Sequence, residues 1–483
     1  MQSIVEYLAY YAEKTPENDA VIANGEKLTF KELWNSVRNL SAYLKEHGIR
    51  TNDKVLVKGA HTVQYAVCCY AVHLCGAVLV PVERNLPPKG IAEIIDRVNG
   101  SFVISNEKPE CEVGFLPETE LQNIPKYDNA EPSFPTIDMS ADILFTTGTT
   151  GKSKGVELTH RNLLSMAEKS IAGTEMAKDN VYLVTVPMNH AGGIRKLHMS
   201  IVNGSTTVLL NGFMNLKLFF QTIEEYKITS IYLPPAAVRL LIGLAGEELK
   251  KYDKQLRFIY TGSAAFPEGD KEKLCEILPS CRLYNGYGGS EIGSVSMFDY
   301  NRNKGMINCI GKPNEGVELI ITDESRNPIV SSPENTGIIA VKSDMNMKGY
   351  YNDPELTAKA KIGDYIFTSD LGYIDKNGYV FMVGRAGDVI NIGGLKVAPT
   401  EVEEIALRYD GIKDCACCCV DDRRSSKAIK LLIVPKENCI IDSKEIRKFL
   451  SEYLETYKIP KIIETVSEIP RTYNGKIDRK KLS

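Results

Sequence analysis

The sequence predicts a multidomain α/β protein, and three patterns support this prediction. Apolar strands alternate with amphipathic helices in the first third of the chain, which is typical of mixed, largely parallel sheets covered by helices. Short strands with turn signals between residues 305 and 388 predict a smaller antiparallel, barrel-like subdomain. The residues that follow predict a small α+β C-terminal domain. A chain of 483 residues has room for all of these units.

The first unit begins with helices and strands that the apolar pattern locates directly. An amphipathic helix is predicted from apolar residues at helical spacing and a glycine that ends it: Leu33, Val37, Leu40, Leu44 and Gly48. A strand, a helix and a second strand follow over residues 54–57, 62–75 and 77–82. This spacing indicates two parallel strands joined by a crossover helix. Similar strands are predicted at 231–233 and 258–260.

The segment 384–388, Gly-Arg-Ala-Gly-Asp, is the predicted domain boundary. Beyond it we expect a strand pair, a helix over 399–409, strands near Cys415 and Leu431, a helix over 443–454 and a polar tail.

The twelve cysteines do not follow a zinc-binding spacing. The densest run, Cys415 to Cys419, lies in an apolar stretch, and we interpret it as a buried strand that uses cysteine as a small hydrophobic residue. A metal site is the alternative, which is disfavoured because adjacent strand residues point to opposite faces. Unpaired cysteines in this number favour a reducing cytosol, and therefore a cytoplasmic protein.

The composition excludes several classes of protein. Hydrophobic residues make up 43% and charged residues 25%, which argues against disordered, collagen-like and disulfide-scaffold chains. The net charge of −4 gives no electrostatic case for binding nucleic acid or an anionic membrane. No apolar stretch reaches the ~20 residues of a spanning helix, and the N-terminus lacks the features of a signal peptide.

The stretch from Ile143 to Val156 contains the first candidate binding site. An apolar strand leads into glycine, threonine, serine and lysine residues, whose N–H groups, hydroxyls and charges can together bind phosphate. The Walker A pattern is not met, because Thr146 stands where its first glycine is required, and a kinase-like P-loop enzyme is therefore disfavoured. A flexible linker of the same composition is the alternative.

A second candidate site lies at residues 284–291. Tyr287 between Gly286 and Gly288 can lie flat under a purine, because no neighbouring Cβ obstructs it. Glu291 can hold Mg²⁺. A dinucleotide fingerprint is excluded, since this glutamate occupies the position of the third glycine. The alternative is a glycine-rich turn with one surface glutamate.

Two further segments contain candidate binding residues. Asp370 follows a strand and can accept hydrogen bonds from both ribose hydroxyls, with Arg385 as a partner; an aspartate that caps a turn is the alternative. Lys476 lies beside a glycine in the polar tail, where a mobile loop could carry it to an active site; a solvated basic tail is the alternative.

In this order, these segments resemble the adenylate-forming superfamily of acyl- and aryl-CoA synthetases, peptide-synthetase adenylation domains and luciferases. The resemblance spans nearly the whole chain and includes the Thr/Ser/Gly-rich loop, the Tyr-Gly-x-Thr/Ser-Glu motif, a Thr-Gly-Asp-like motif, the Gly-Arg hinge segment and the terminal Gly-Lys. It implies the adenylate-forming enzyme fold. An N-terminal AMP-binding domain over residues 1–386 would hold ATP and the acid, and a mobile C-terminal domain over residues 387–483 would carry the catalytic lysine.

The resemblance also implies a role for individual residues. The ATP phosphates would be held by Thr146, Thr147, Gly148, Thr149, Thr150, Gly151 and Lys154. Further nucleotide contacts would come from Gly262, Ser263, Ala264, Gly286, Tyr287, Gly288, Ser290, Asp370 and Arg385. Of these, Gly262, Ser263 and Ala264 would also line the acyl side, and Ser290 would touch the α-phosphate. Within that set Tyr287 would stack on adenine, and Asp370 and Arg385 would bind the ribose. Glu291 would hold Mg²⁺, Lys476 would bridge the carboxylate and the α-phosphate, and Gly393 and Gly394 would line the thiol tunnel for coenzyme A.

The implied reaction is an ATP-dependent ligation of a fatty or aromatic carboxylic acid to coenzyme A. The carboxylate attacks the α-phosphorus of ATP, and both reactants are anions, so Mg²⁺ and a lysine are needed to neutralise the developing charge. The thiol of coenzyme A then displaces AMP from the acyl-AMP. A carrier-protein phosphopantetheine is the alternative acceptor. A non-catalytic nucleotide-binding relative is disfavoured by the joint presence of Glu291, Asp370, Arg385 and Lys476.

The segment 186–193 resembles the Pro-x-x-His-x-x-Gly motif of acyl-CoA synthetases and implies that His190 lies near the substrate carboxylate; a packed histidine is the alternative. The segment lacks the aspartate that amino-acid-activating relatives place in this region, which favours a simple carboxylic acid. Arg195 could pair with a second carboxylate if it faced the pocket, although we favour an exposed helix arginine. Gly387 departs from the aspartate or lysine common at the hinge, which leaves open how the hinge is fixed.

Overall fold

The computed structural model describes residues 1–127, 132–146, 153–392, 395–422, 426–472 and 477–482. Within these ranges the α-helices are, in chain order, α1 (Ile4–Lys14), α2 (Phe30–Glu46), α3 (Val63–Leu74), α4 (Pro88–Val98), α5 (His160–Gly173), α6 (Ala191–Asn203), α7 (Leu216–Glu225), α8 (Pro235–Lys250), α9 (Glu268–Ile277), α10 (Pro354–Ala360), α11 (Pro399–Ala406) and α12 (Ser443–Ser451). No helix in these ranges is long and apolar enough to cross a membrane.

The strands of the N-terminal part are β1 (Asp19–Ala23), β2 (Glu26–Thr29), β3 (Lys54–Lys58), β4 (Val78–Val82), β5 (Gly100–Ile104), β6 (Gly114–Leu116), β7 (Ser140–Thr146), β8 (Lys154–Thr159), β9 (Val181–Val184), β10 (Thr206–Leu209), β11 (Ser230–Tyr232), β12 (Phe258–Gly262), β13 (Arg282–Gly289) and β14 (Gly293–Asp299). The later strands are β15 (Cys309–Gly311), β16 (Glu318–Thr322), β17 (Gly337–Lys342), β18 (Gly349–Tyr350), β19 (Lys361–Ile362), β20 (Tyr365–Ile374), β21 (Val380–Arg385), β22 (Ile390–Ile392), β23 (Leu395–Val397), β24 (Ile412–Asp422), β25 (Ser426–Pro435) and β26 (Ile462–Thr465).

Two large sheets form the N-terminal part. One has eight strands in the order β14-β13-β12-β11-β9-β10-β1-β2, and the other has seven in the order β18-β8-β7-β4-β3-β5-β6. Both are parallel inside and antiparallel toward an edge, where β13–β14, β1–β2, β7–β8 and β8–β18 pair. The predicted mixed, largely parallel sheets are therefore confirmed, including the parallel pairing of β3 with β4.

The main core lies between the two large sheets and takes side chains from α1, α2, α3, α5 and α6. Helix α2 illustrates why these segments fold as they do. Thr29 and Glu32 form a capping box at its start, and Leu33, Val37, Leu40 and Leu44 are buried along one face. A second core packs α7, α8 and α9 on the outer face of the eight-stranded sheet. These helices therefore pack against β12 and β13 through Ile259 and Leu283.

The predicted antiparallel subdomain is also confirmed. Its sheet has the order β15-β21-β20-β17-β16, with β19 beside β20, and every pairing in it is antiparallel. Strand β18, which lies in the same stretch of sequence, instead joins the seven-stranded sheet through β8. That excursion brings Tyr350 toward the candidate site.

The C-terminal region contains the three-stranded sheet β24-β25-β26 with α11 and α12, and it has its own core. Cys415 and Cys417 face that core, whereas Cys418 faces a second cluster with Leu482, as expected for a buried strand. All twelve cysteines are free, and no cluster of metal-ligating side chains occurs in the described part of the chain. Arg239 of α8 contacts Asp414 of β24 at 3.5 Å, which links this region to the N-terminal part.

Candidate active site

The predicted phosphate loop connects the antiparallel strands β7 and β8. Thr146 ends β7 and is paired with Lys154 at the start of β8. The intervening Thr147, Gly148, Thr149, Thr150 and Gly151 lie outside the described residues. Just after them, Arg97 donates to the carbonyl oxygen of Ser153 at 2.6 Å and to its hydroxyl at 2.9 Å. The hairpin setting differs from the strand-to-helix turn of a Walker A loop, in agreement with the sequence.

The Tyr287–Glu291 segment spans the end of β13 and the turn into β14. A Cβ at Gly286 would lie 2.5 Å from the ring of Tyr260, and one at Gly288 would overlap the carbonyl oxygen of Gly293. These positions therefore need glycine for packing within the protein, independently of any ligand. Gly262 ends β12 beside Gly286, and Ser263 and Ala264 are exposed next to it.

Arg195 fixes the turn between β13 and β14, and our expectation of an exposed arginine is wrong. Its two Nη atoms donate to the carbonyl oxygens of Gly289 and Ser290, each at 3.0 Å. Its Nε is buried without a hydrogen-bond partner in the described structure. Burial lowers the pKa of Arg195 to about 10, while the nearby carboxylate of Glu291 opposes this shift. Helix α6 is buried on several sides, and Arg195 is only partly exposed because its guanidinium is turned toward the β13–β14 turn.

Glu291 is held by a residue that the sequence did not indicate. The hydroxyl of Tyr350 donates to Oε1 of Glu291 at 3.0 Å, and the backbone N–H of Met347 donates to its carbonyl oxygen at 2.8 Å. The ammonium of Lys154 lies 5.5 Å from the centre of the Tyr350 ring. Burial, together with the Glu291 carboxylate, raises the pKa of Tyr350. Tyr350 therefore connects the phosphate hairpin to the Glu291 turn.

The residues present fit a magnesium ion that arrives with a nucleotide. Glu291 offers a single carboxylate, and the described structure has no group of three or more side chains that could form a metal cage. Mg²⁺ is usually held by one or two carboxylates together with substrate phosphates, so one glutamate beside a phosphate loop is a suitable donor set.

The predicted ribose site lies between the antiparallel sheet of the subdomain, which carries Asp370 and Arg385, and the eight-stranded sheet, which carries Tyr287. Asp370 on β20 is paired with Arg385 on β21, and Nε of Arg385 lies 3.3 Å from Oδ1 of Asp370. The hydroxyl of Tyr287 donates to Oδ2 of Asp370 at 2.7 Å. Burial and the Asp370 charge raise the pKa of Tyr287, which keeps it protonated as a donor. The structure thus brings together Tyr287, Asp370 and Arg385, while Glu291 follows Tyr287 in the same hairpin.

His190 lies at the N-terminal end of α6. Its side chain makes no capping hydrogen bond, it is partly buried, and burial lowers its pKa. The segment before it is fixed by His61, which is 2.9 Å from the carbonyl oxygen of Val186, and by Tyr65, which donates to that of Met188 at 2.9 Å. The His190 imidazole is therefore partly exposed, and its lowered pKa favours the neutral form.

Three further predicted residues cannot be placed. Lys476, Gly393 and Gly394 lie outside the described residues. The chain on either side of the lysine is anchored, since Arg471 pairs with Ile477 and Arg479 makes a two-pronged contact with Glu403 at 2.7 and 3.0 Å. A cleft of about 650 Å³ opens elsewhere, near Arg161 and Asp364, and none of the predicted site residues line it.

Comparison with known proteins identifies the family. The family model described as AMP-binding enzyme matches residues 8–351, and the model described as AMP-binding enzyme C-terminal domain matches residues 401–476. The chain belongs to the AMP-binding enzyme family. The matched ranges contain Thr146, Tyr287 and Glu291 in the first and Lys476 at the end of the second.

Several characterised relatives of this AMP-binding enzyme are ligases. It is 29% identical to the long-chain-fatty-acid–CoA ligase of Bacillus subtilis, over 98% of this chain and 92% of the relative. It is 28% identical to the 2-succinylbenzoate–CoA ligase of a Geobacillus species, over 99% and 97%. Among solved structures, o-succinylbenzoate CoA synthetase of Bacillus subtilis in complex with the acyl-adenylate OSB-AMP superposes with a TM-score of 0.87 at 23% identity, over 100% and 98% of the two chains. ATP-bound MatB of Rhodopseudomonas palustris has a TM-score of 0.88 at 22% identity, over the same shares. These structures confirm the adenylate-forming fold.

Proposed function

We propose that this AMP-binding enzyme activates a carboxylic acid as an acyl-AMP with ATP and transfers the acyl group to coenzyme A. One observation carries the proposal. The Lys154–Tyr350–Glu291 contacts and the Tyr287–Asp370–Arg385 contacts meet at a single hairpin, so groups suited to phosphate, magnesium and ribose lie together. The CoA-ligase names of relatives that match nearly the full chain support the same reaction.

The first half-reaction requires that two anions approach each other. Asp370 and Arg385 would hold the ribose, and Thr146 with the loop that follows it would hold the phosphates. Mg²⁺, held by Glu291 when bound, supplies positive charge to those phosphates. Arg195 contributes by fixing the carbonyls of Gly289 and Ser290, which sets the position of the Glu291 turn. Catalysis here rests on positioning and electrostatic stabilisation.

His190 is proposed to border the acid. Its depressed pKa keeps the ring neutral near pH 7, so it can orient the carboxylate by a hydrogen bond without forming a tight ion pair. We propose Lys476 as the bridge between that carboxylate and the α-phosphate.

We also propose that the C-terminal domain begins at residue 387 and turns after the first half-reaction, so that Gly393 and Gly394 line a path for the thiol. The separate core of this region supports its motion as a unit. Free cysteines throughout the chain favour the cytoplasm.

The proposal is tested by ATP–pyrophosphate exchange over a panel of fatty and aromatic acids, with coenzyme A and a carrier protein then supplied side by side. We expect acid-dependent exchange and formation of the coenzyme A thioester. Transfer only to the carrier protein would reassign the acceptor. Absence of exchange with every acid would contradict acid activation itself.

A further inference from the structure

Lys196 is a buried lysine whose amine has no counterion in the described structure, and burial lowers its pKa well below the usual lysine value. It lies on α6 with 6% of its surface exposed, and no hydrogen bond or ion pair of its ammonium occurs within the described residues. The ammonium instead faces two aromatic rings. Its Nζ lies 3.6 Å from the ring centre of Tyr260 and 4.9 Å from that of Tyr232. These contacts offset part of the cost of burying a charge but do not replace an anion.

The two tyrosines place Lys196 directly beneath the candidate active site. Tyr260 packs against Gly286, one residue before Tyr287. The hydroxyl of Tyr232 lies 3.4 Å from the point where a Cβ on Gly192 would stand, and Gly192 follows His190 by two residues. The ammonium is therefore positioned between the nucleotide hairpin and the start of α6, on the side where His190 implies the acid.

The surroundings of Lys196 contain an excess of positive charge and of unused polar groups. The neighbouring Arg195 donates its Nη atoms to carbonyl oxygens rather than to a carboxylate, and its charge adds to burial in lowering the pKa of Lys196. Tyr182 and Tyr284 belong to the same aromatic cluster as Tyr232 and Tyr260, and their hydroxyls are buried without hydrogen-bond partners in the described structure. Such a set of groups suits an anion that the protein itself does not provide.

The position of Lys196 along α6 indicates which part of a ligand would supply this anion. It lies six residues after His190, a distance of about 9 Å along the helix axis at a rise of ~1.5 Å per residue. Its side chain leans back toward the N-terminal end of the helix. A group that reaches Lys196 thus lies several atoms from a carboxylate at His190, toward the far end of the acid.

We propose that the acid activated by this enzyme is a dicarboxylic acid whose distal carboxylate is bound by Lys196. This inference rests on the proposed function and narrows its substrate class. The reacting carboxylate lies near His190, and the second carboxylate enters the tyrosine-lined region between α6 and the ends of β12 and β13. Lys196 is a specificity residue in this scheme and takes no part in the chemical steps.

The experiment compares each dicarboxylic acid with its own monomethyl ester. Diacids of about eight carbons reach the axial distance estimated above, and shorter ones of about four carbons upward allow for the backward lean of the Lys196 side chain. The distal ester removes the charge with little change in shape. ATP–pyrophosphate exchange is measured for wild type, for Lys196→Met, and for Lys217→Met on the exposed side of α7 as the matched control. We expect wild type and the control to prefer the best diacid over its monoester by at least ~30-fold in kcat/KM, since losing one partner of a buried charged pair has an effect of this size.

Lys196→Met is expected to abolish this preference, mainly by raising KM for the diacid, while exchange with the monoester is retained or improved. Retention of the preference in Lys196→Met would overturn the inference. So would a wild-type enzyme that uses monoesters or plain fatty acids as well as diacids, a result that does not depend on the variant folding. In both cases acid-dependent exchange persists and the proposed function stands. Absence of exchange with every acid would instead overturn the proposed function and the inference together.

Discussion

Two buried ionisable residues in this molecule, Glu403 and Lys196, have opposite environments. In the C-terminal region, Arg479 makes two hydrogen bonds to Glu403, and the N–H and carbonyl of Cys417 complete the set at 2.7 Å each. In the N-terminal part, the amine of Lys196 faces the rings of Tyr260 and Tyr232, and no counterion lies beside it among the described residues. Removing one partner from a buried ion pair is strongly destabilising, whereas a buried charge that has no partner weakens the protein and suits a ligand of opposite charge. We therefore infer that Arg479 serves the stability of the C-terminal region, whereas Lys196 serves substrate binding.

The largest effect is expected from Arg479→Met. The substitution leaves the Glu403 carboxylate buried and unpaired, which typically costs about 3–5 kcal/mol. Denaturant unfolding of the full chain would show the loss in the transition of the C-terminal region, with the exposed Lys448→Met as control. Adding Glu403→Leu to Arg479→Met should restore most of the stability, because both charges are then absent. If Arg479→Met is as stable as Lys448→Met, the Arg479–Glu403 pair does not stabilise the C-terminal region, and the contrast with Lys196 is lost.

The next largest effect is expected from a third buried cluster, around His160, which makes the free energy of unfolding depend on pH. His160 packs against His73, which is 2.8 Å from Asp142, and both nitrogens of His160 are buried without partners in the described structure. Burial lowers the pKa of His160 to about 3. The unfolded imidazole takes up a proton near pH 6.5 and the folded one does not, so the unfolded state binds more protons and the free energy of unfolding falls as the pH drops below about 6.5.

His160 alone should change the free energy of unfolding by up to ~1.4 kcal/mol per pH unit. His160→Phe keeps the ring contact and should flatten the pH dependence between about pH 6 and 4. Chemical denaturation at several pH values measures this slope in both proteins. An unchanged slope in the variant would show that His160 is protonated in the folded state.

A smaller effect is expected in the active site from Tyr350→Phe, which removes the hydroxyl that donates to Glu291. One hydrogen bond of about 1 kcal/mol corresponds to roughly a five-fold loss in kcat/KM for exchange, with a raised requirement for Mg²⁺. Tyr351→Phe is the matched control, since its hydroxyl donates at 3.1 Å to the carbonyl of Val98 instead. Equal losses in the two variants would place the effect in folding rather than in the site.

The smallest effect is the stability of Lys196→Met itself. Replacing an unpaired buried ammonium by an apolar side chain of similar length should change the free energy of unfolding by less than about 1 kcal/mol, or should stabilise the protein. Thermal unfolding of the full chain measures it. A loss as large as that expected for Arg479→Met would mean that Lys196 is structural, and the contrast between the two regions would disappear.

Residues with local periodic patterns were predictable from the sequence. The apolar spacing in α2, the parallel pair β3 and β4, the antiparallel subdomain and the buried cysteine strand β24 were all anticipated and are confirmed. Each of these depends on neighbours within a few residues, or on one apolar face, that the sequence displays directly.

The contacts within the candidate active site could be identified only from the tertiary structure. Tyr350 reaches Glu291 across 59 positions from a two-residue strand that has no periodicity of its own. The orientation of Arg195 was mispredicted because α6 is buried around much of its circumference, so charge does not mark an exposed face there. Lys196 is buried on the same helix. The lack of a counterion among the described residues can be recognised only when the neighbours of Lys196 are known.

The formation of an acyl-AMP intermediate is tested most directly by labelling the oxygen atoms of the acid. An acid labelled with heavy oxygen in its carboxylate is incubated with ATP, Mg²⁺ and coenzyme A, and the AMP is analysed by mass spectrometry. If the carboxylate attacks the α-phosphorus and the thiol then displaces AMP, the AMP must carry one labelled oxygen. Unlabelled AMP formed together with the thioester would contradict an acyl-AMP intermediate, and with it the role assigned to the Tyr287–Glu291 hairpin.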